Sequence, residues 1–365
     1  MTKLAEIIDW LEQFAHPSLQ ESYDNSGLIV GSPEMEVKGV MVCLDSIPEV
    51  IDDAIRTGCN VVMAHHPIIF SGLKKINGKN YIERAIIKAI KNDIAIYAIH
   101  TNLDNVSTGV NAEICRRLGL TETSVLSPKS GLLNKIVVFV PLEHKSKVLD
   151  AMFNAGAGNI SDYDECSFQT EGTGSFRAGA NANPFVGEKN TRHHEKEVRL
   201  EVIAPTFKNS AIIGAARSVH PYEEMAYDIY NLKNISDNIG SGMIGKLPQS
   251  LHPIEFLNLL KNNMKVKVVR HTAFTSDQIR TVAVCGGSGS FLIDDAIRKG
   301  ADILVTADLK YHQFFDADGR IILADIGHFE SEQFTIQLLH DRIAEKFTTF
   351  ATHLSGVDTN PVLYF

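Results

Sequence analysis

Two adjacent histidines, His65 and His66, close an apolar β-branched run, VVMAHHP. Such a run reads as a central strand of a covered sheet, and Pro67 ends it by removing a ladder donor. The two imidazoles therefore stand at the carboxyl end of a strand, where open α/β sheets place their ligands. Other strand ends supply similar chemistry: His100 and Asp104 follow Ile94–Ile99, Asp308 follows ILVTA, and His328 with Glu332 follows Ile321–Ile326. His328 and Glu332 are four residues apart, on one face of a helical first turn. Three histidines and two carboxylates exceed one open tetrahedral metal site. They suit two ions about 3.5–4 Å apart with a carboxylate between them, and Glu332 is the residue expected to bridge. Imidazole and carboxylate ligands accommodate zinc, iron, manganese, cobalt or nickel. Glu330 is expected to point elsewhere, as a surface residue favoured by the helix dipole.

Further groups stand near these. Gly286-Gly287-Ser288-Gly289-Ser290 lies between a strand and a helix. Bare glycines there allow either a tight packing turn or an approach of amides to an anion. Lys310 and His312 could assist a substrate phosphate or a proton transfer, and Asp308, His100 and His312 are the candidates for handling protons. Gly286, Gly287, Ser288 and Lys310 are the candidate substrate contacts.

The elements that must position these groups form an α/β host. Strands at Leu28–Val30, Val37–Leu44, Val61–Ala64 and Ile94–Ile99 alternate with helices at Pro48–Thr57, Tyr81–Asn92 and Gly109–Leu118, after an amphipathic N-terminal helix. The pattern recurs late in the chain. Cys285 lies 242 positions after Cys43, Ile293 lies 242 after Ile51, and the DDAIR run is identical in both copies. The same shift sets Asp308 against His66, so the host reads as two pseudo-symmetric halves whose strand ends meet. Near Ser127 the character changes. Lys135–Val140, Ser146–Asn154, Ser167–Arg177, Glu197–Ala204, Asn209–Ser218 and a last strand near Tyr227 give a β-α-β, β-α-β order, a separate inserted domain. A long Gly/Asn-rich loop after Ser167–Arg177 would leave His193 and His194 solvated. The boundaries read as 1–126 for the first half of the host, 127–235 for the insert and 236–365 for the second half.

Composition sets the limits. The 365 residues carry a net charge of −9 and no basic block, which argues against nucleic acid as a partner. No apolar run is long enough to span a membrane. The N-terminus has acidic residues and no cleavage signal, and the five scattered cysteines read as reduced, so a cytoplasmic protein is expected.

Taken in order, DNSGLIVG (24–31), AHHPIIF (64–70), HTNLDN (100–105), GGSGS (286–290), DLKYH (308–312) and GHFESE (327–332) resemble the dinuclear metal-centre family related to Ngg-interacting factor three. Its bacterial members are often labelled GTP cyclohydrolase 1 type 2 homologues. The resemblance covers roughly 1–125 and 236–365. It implies metal ligands at His65, His66, Asp104, His328 and Glu332, with Glu332 shared, two divalent ions per subunit and a toroidal homohexamer. FVP (139–141), GTGSFR (172–177) and HPYEE (220–224) are similar to the insert of longer members, which implies an α+β ferredoxin-like fold of the PII/CutA kind. Three functions follow as expectations. The first is a metal-dependent hydrolase of a nucleotide-like or phosphorylated small molecule. The second is a non-catalytic metal-handling or regulatory hexamer with a PII-like sensor domain. The third is a scaffold whose metals are structural.

Overall fold

The computed structural model describes residues 2–160 and 163–365. The chain divides into two compact units, 1–128 with 237–365, and 129–236.

The larger unit begins with α1 (Leu4–Phe14), β1 (Gly27–Val30), β2 (Gly39–Asp45), α2 (Pro48–Thr57), β3 (Val61–His66), α3 (Tyr81–Lys91), β4 (Ala95–Ala98), a one-turn α4 (Thr101–Asp104), α5 (Val110–Leu118) and β5 (Thr121–Ser130). Local chemistry sets several of these bounds. Pro48 opens α2 and Gly58 closes it in the left-handed conformation. The Asn80 side chain accepts the Glu83 N–H at 2.8 Å and starts α3. β2, β3 and β4 are parallel and almost wholly buried, as near-continuous apolar strands must be.

The smaller unit holds β6 (Leu133–Pro141), α6 (Lys145–Asn154), β7 (Ser167–Arg177), β8 (Arg192–Pro205), α7 (Asn209–Val219) and β9 (Tyr227–Asn231). Its sheet runs β7-β8-β6-β9. Its core packs Ile136, Val138, Val148, Met152, Leu200 and Ile212 between sheet and helices. The long loop expected after β7 is shorter than its composition suggests. β7 and β8 pair from Ser167↔Val202 to Arg177↔Arg192, so His193 and His194 belong to a strand. His193 Nε2 reaches Glu195 at 2.8 Å and its ring lies 5.5 Å from that of Phe176. Residues 192–197 are polar on both faces, which hides the strand from hydrophobic alternation.

The larger unit resumes with β10 (Ile235–Leu251), α8 (Pro253–Met264), β11 (Arg270–His271), β12 (Ile279–Ser288), α9 (Ile293–Arg298), β13 (Ile303–Ala307), β14 (Ile322–Asp325), α10 (His328–Glu332), α11 (Thr335–Lys346) and β15 (Ala351–Leu354). The single helix expected from His328 to Phe347 is two helices. Two sheets result, β1-β4-β3-β2-β15 and β11-β14-β13-β12-β10-β5. They repeat one another in detail. β2 pairs with β3 as Val40↔Val61, Val42↔Met63, and β12 pairs with β13 as Val282↔Ile303, Val284↔Val305, the same pairs 242 residues later. In each sheet an antiparallel strand, β1 or β11, flanks the third parallel strand. Each sheet has its own apolar cluster, around Ile51 and Val62 in one and around Leu292 and Leu304 in the other.

Candidate metal centre

The carboxyl ends of β3, β4, β13 and β14 meet around one carboxylate. Glu332 is 3% exposed, and its Oε2 lies 2.9 Å from His66 Nε2 and 3.0 Å from His328 Nε2. Its Oε1 faces His65 Nε2 at 4.0 Å. Asp104 Oδ1 lies 3.6 Å from the same His65 nitrogen. The five residues His65, His66, Asp104, His328 and Glu332 are thus brought together. Ligand atoms of His65, His66 and Glu332 lie within 4.8 Å of one another.

Each of the three imidazoles is oriented from behind. His65 Nδ1 donates to the Ile99 carbonyl at 2.8 Å, His66 Nδ1 to Asp45 at 2.8 Å and His328 Nδ1 to Asp308 at 2.7 Å. A carbonyl accepts only, so His65 carries its proton on Nδ1 and turns a lone pair inward on Nε2. That arrangement is typical of metal-ligating histidines. Asp308 accepts a second hydrogen bond, from the Ser288 hydroxyl at 2.6 Å. His100 is held likewise, its Nδ1 2.7 Å from Asp24, and its ring lies 5.4 Å from that of His65.

Burial pushes the His65 imidazole down to about 3, and Glu332 only partly opposes this, so the ring is neutral. For His66 burial acts downward too, but hydrogen bonds to Asp45 and Glu332 hold the ring at about 10. His328 is held at about 11 by Asp308 and Glu332 in the same way. Burial and the neighbouring Glu332 charge push Asp104 well above the carboxylate range. Burial alone would raise Glu332, yet His328 and His66 hold it well below its ordinary value.

The donor set passes a specific test for a cation. His65 Nε2 and Asp104 Oδ1 are buried and have no hydrogen-bond partner. Orphaned polar atoms of that kind are costly. Two ligand atoms each about 2.0–2.2 Å from one ion lie roughly 3–4 Å apart, which is the spacing these atoms show.

The glycine segment resolves into a packing turn. The Gly286 N–H donates to Asn111 Oδ1 and the Gly287 N–H to Ser331 Oγ, each at 2.9 Å, so neither amide is left for an anion. A Cβ on Gly287 would stand 2.5 Å from Glu332 Oε1, and its φ of +62° favours glycine independently. Gly286, Gly287 and Ser288 line a cavity of about 840 Å³ in front of the cluster, with His66, His100, Asp104, His328 and Glu332. Lys310 and His312 line neither this cavity nor a second one, of about 610 Å³, that reaches His66, Asp308 and His328. Asp308, between the cluster and Lys310 in sequence, takes a left-handed φ of 57°.

Several contributors carry no pattern in the sequence. Asp45, the partner of His66, follows six buried residues of β2. Asn111 joins the site by donating to the Asp104 carbonyl at 3.0 Å. The segment after β15 crosses the site: Thr359 Oγ1 donates to Asp45 at 2.6 Å, and Ser355 and the Gly356 N–H both donate to Asp53 at 3.0 Å. Glu330 is not the surface residue expected. It is 6% exposed, and it accepts from Asn360 Nδ2 at 3.1 Å.

Fold and site together define an α/β protein with two register-matched sheets and a buried histidine–carboxylate cluster able to hold metal. The family model described as Duf34/NIF3 (NGG1p interacting factor 3) matches residues 2–361, and the chain belongs to that family. It is 38% identical over 369 residues, 98% of each chain, to a protein of Bacillus subtilis (strain 168) named GTP cyclohydrolase 1 type 2 homolog. A protein of the same name from Halalkalibacterium halodurans is 39% identical over 325 residues, 88% of this chain and 87% of the other. The crystal structure of a Bacillus cereus protein related to NIF3 superposes with a TM-score of 0.86 at 37% identity, covering 100% of this chain and 99% of that one. A Staphylococcus aureus protein superposes with a TM-score of 0.78 at 27% identity over the same shares. Among the described residues no helix is long and apolar enough to cross a membrane.

Proposed function

We propose that the chain binds two divalent ions per subunit and is a metal-dependent hydrolase of a small, nucleotide-like molecule. The observation that carries this reading is the facing pair of buried, unpartnered atoms, His65 Nε2 and Asp104 Oδ1. His65, Asp104 and Glu332 Oε1 would hold one ion, and His66, His328 and Glu332 Oε2 the other. Bound ions of this kind lower the pKa of a coordinated water to about 7 and so supply a nucleophile at neutral pH. The chain's own contribution is orientation. Asp45 and Asp308 fix the rings of His66 and His328, and Asn111 fixes the backbone at Asp104. His100, held by Asp24 and lining the cavity, is the group placed to exchange a proton with a substrate. Asp308 is held close to His328, so its part in proton transfer runs through that ring.

The smaller unit is proposed to be a ferredoxin-like domain of the PII/CutA kind, on the strength of its β-α-β-β-α-β order and its sheet order β9-β6-β8-β7. A cytoplasmic homohexamer remains part of the proposal.

The test is metal content by mass spectrometry together with turnover of nucleotides and phosphoesters. Glu332→Ala is expected to lose both ions and Asp104→Ala mainly one. Full occupancy in Glu332→Ala refutes the shared carboxylate. Full occupancy without turnover in the unaltered protein favours the metal-handling alternative.

A further inference from the structure

We propose that the larger cavity takes a flat heteroaromatic ring, neutral or positively charged and without a polyphosphate, stacked among the aromatic side chains at its mouth. The proposal rests on the metal-centre reading and names the substrate class of that same site.

Tyr23, Phe70, Tyr81 and Phe291 all line the cavity and are 69%, 55%, 51% and 65% exposed. A single exposed ring is ordinary, but four from separate segments around one opening form an apolar rim suited to a planar ligand. Phe70 stands edge-on to His100 at 5.7 Å, so the rim runs continuously into the cluster. The cavity's volume suits a drug-sized ligand. Ser46, 1% exposed, lines it with a buried hydroxyl that has no hydrogen-bond partner, a handle for a ring nitrogen or carbonyl.

Charge argues against a triphosphate. Among the described residues no lysine or arginine lines this cavity. Its six carboxylates, Glu21, Asp45, Glu49, Asp104, Glu332 and Asp358, outnumber the four positive charges that two divalent ions would bring. Apart from metal ions, phosphate sites are built from arginine, lysine or free backbone amides, and the Gly286 and Gly287 amides are already engaged. A polyphosphate would therefore meet a field of its own sign even in the loaded protein.

The test is titration calorimetry on the metal-loaded full chain with guanosine, adenosine, GTP and tripolyphosphate, with metal counted on the same samples. A nucleoside is expected to bind at least as tightly as GTP, and tripolyphosphate weakly. Tyr23→Ala and Phe291→Ala are each expected to weaken nucleoside binding about tenfold, in line with base–aromatic stacking, with metal content unchanged. GTP binding tenfold tighter than guanosine overturns the proposal. So does silence of both nucleosides at millimolar concentration, or unchanged affinity in the alanine variants. A changed association state of those variants in light scattering also overturns it, by assigning the rings to a subunit interface. Failure of the metal-centre reading shows separately, as unaltered protein without metal.

Discussion

Glu332 shares one oxygen between two histidines while the other faces a third, and each ring is held by an acceptor on its far side. The outer acceptors therefore set the direction in which every Nε2 points. Asp308→Asn and Asp45→Asn keep the shape of the side chains and remove the charge. Each is expected to weaken metal affinity by roughly 10–100-fold, read by competition with a chelating dye; unchanged affinity in both refutes the orienting role. His65 and His66 were legible because a strand, a proline and two imidazoles coincide, and Glu332 because it follows His328 by one helical turn. Asp45 was not, because one acid at the end of an apolar strand looks the same whether it faces solvent or a histidine. The burial of Glu330 escapes the sequence for a related reason. Its position on the helix was clear, but the strand-free segment that covers it carries no periodicity.

At the scale of elements, the end of β12 and the Glu332 end of α10 approach so closely that only a glycine fits between them. Gly287→Ala would bring a methyl group 2.5 Å from Glu332 Oε1 and place alanine at a positive φ. A loss of about 1–3 kcal/mol is expected, read as a lower urea midpoint, together with loss of metal; wild-type stability refutes the close approach. The segment after β15 acts on the opposite side of the cluster. Thr359→Val removes the hydrogen bond to Asp45 and is expected to cost about 0.5–1.5 kcal/mol, with faster amide exchange at 355–360. Unchanged exchange there would show that the contact does not anchor the segment. The central strands β2, β3, β4, β12, β13 and β14 could be read from their apolar runs and the repeated DDAIR stretch, whereas the short β11 and β15 leave no such run. β5 and β10 could not, since glycines, serines and two prolines interrupt them and their pairing partners are distant in sequence.

At the scale of the whole molecule, β5 and β10 are neighbours in one sheet, and the smaller unit is spliced between them. The host sheet therefore closes without help from the insert's own strands. Deleting about Asn134–Lys233 and joining the ends with a short linker is expected to leave a folded, metal-binding protein; insoluble product without metal refutes this. The same connectivity has a consequence for synthesis. His66 and Glu332, in hydrogen-bond contact, are 266 residues apart. A ribosome that has released β3 has exposed two histidines long before their carboxylate exists. The nascent chain must carry those imidazoles through most of translation without the cluster, so an ion held by all of these side chains could be acquired only once α10 has been made.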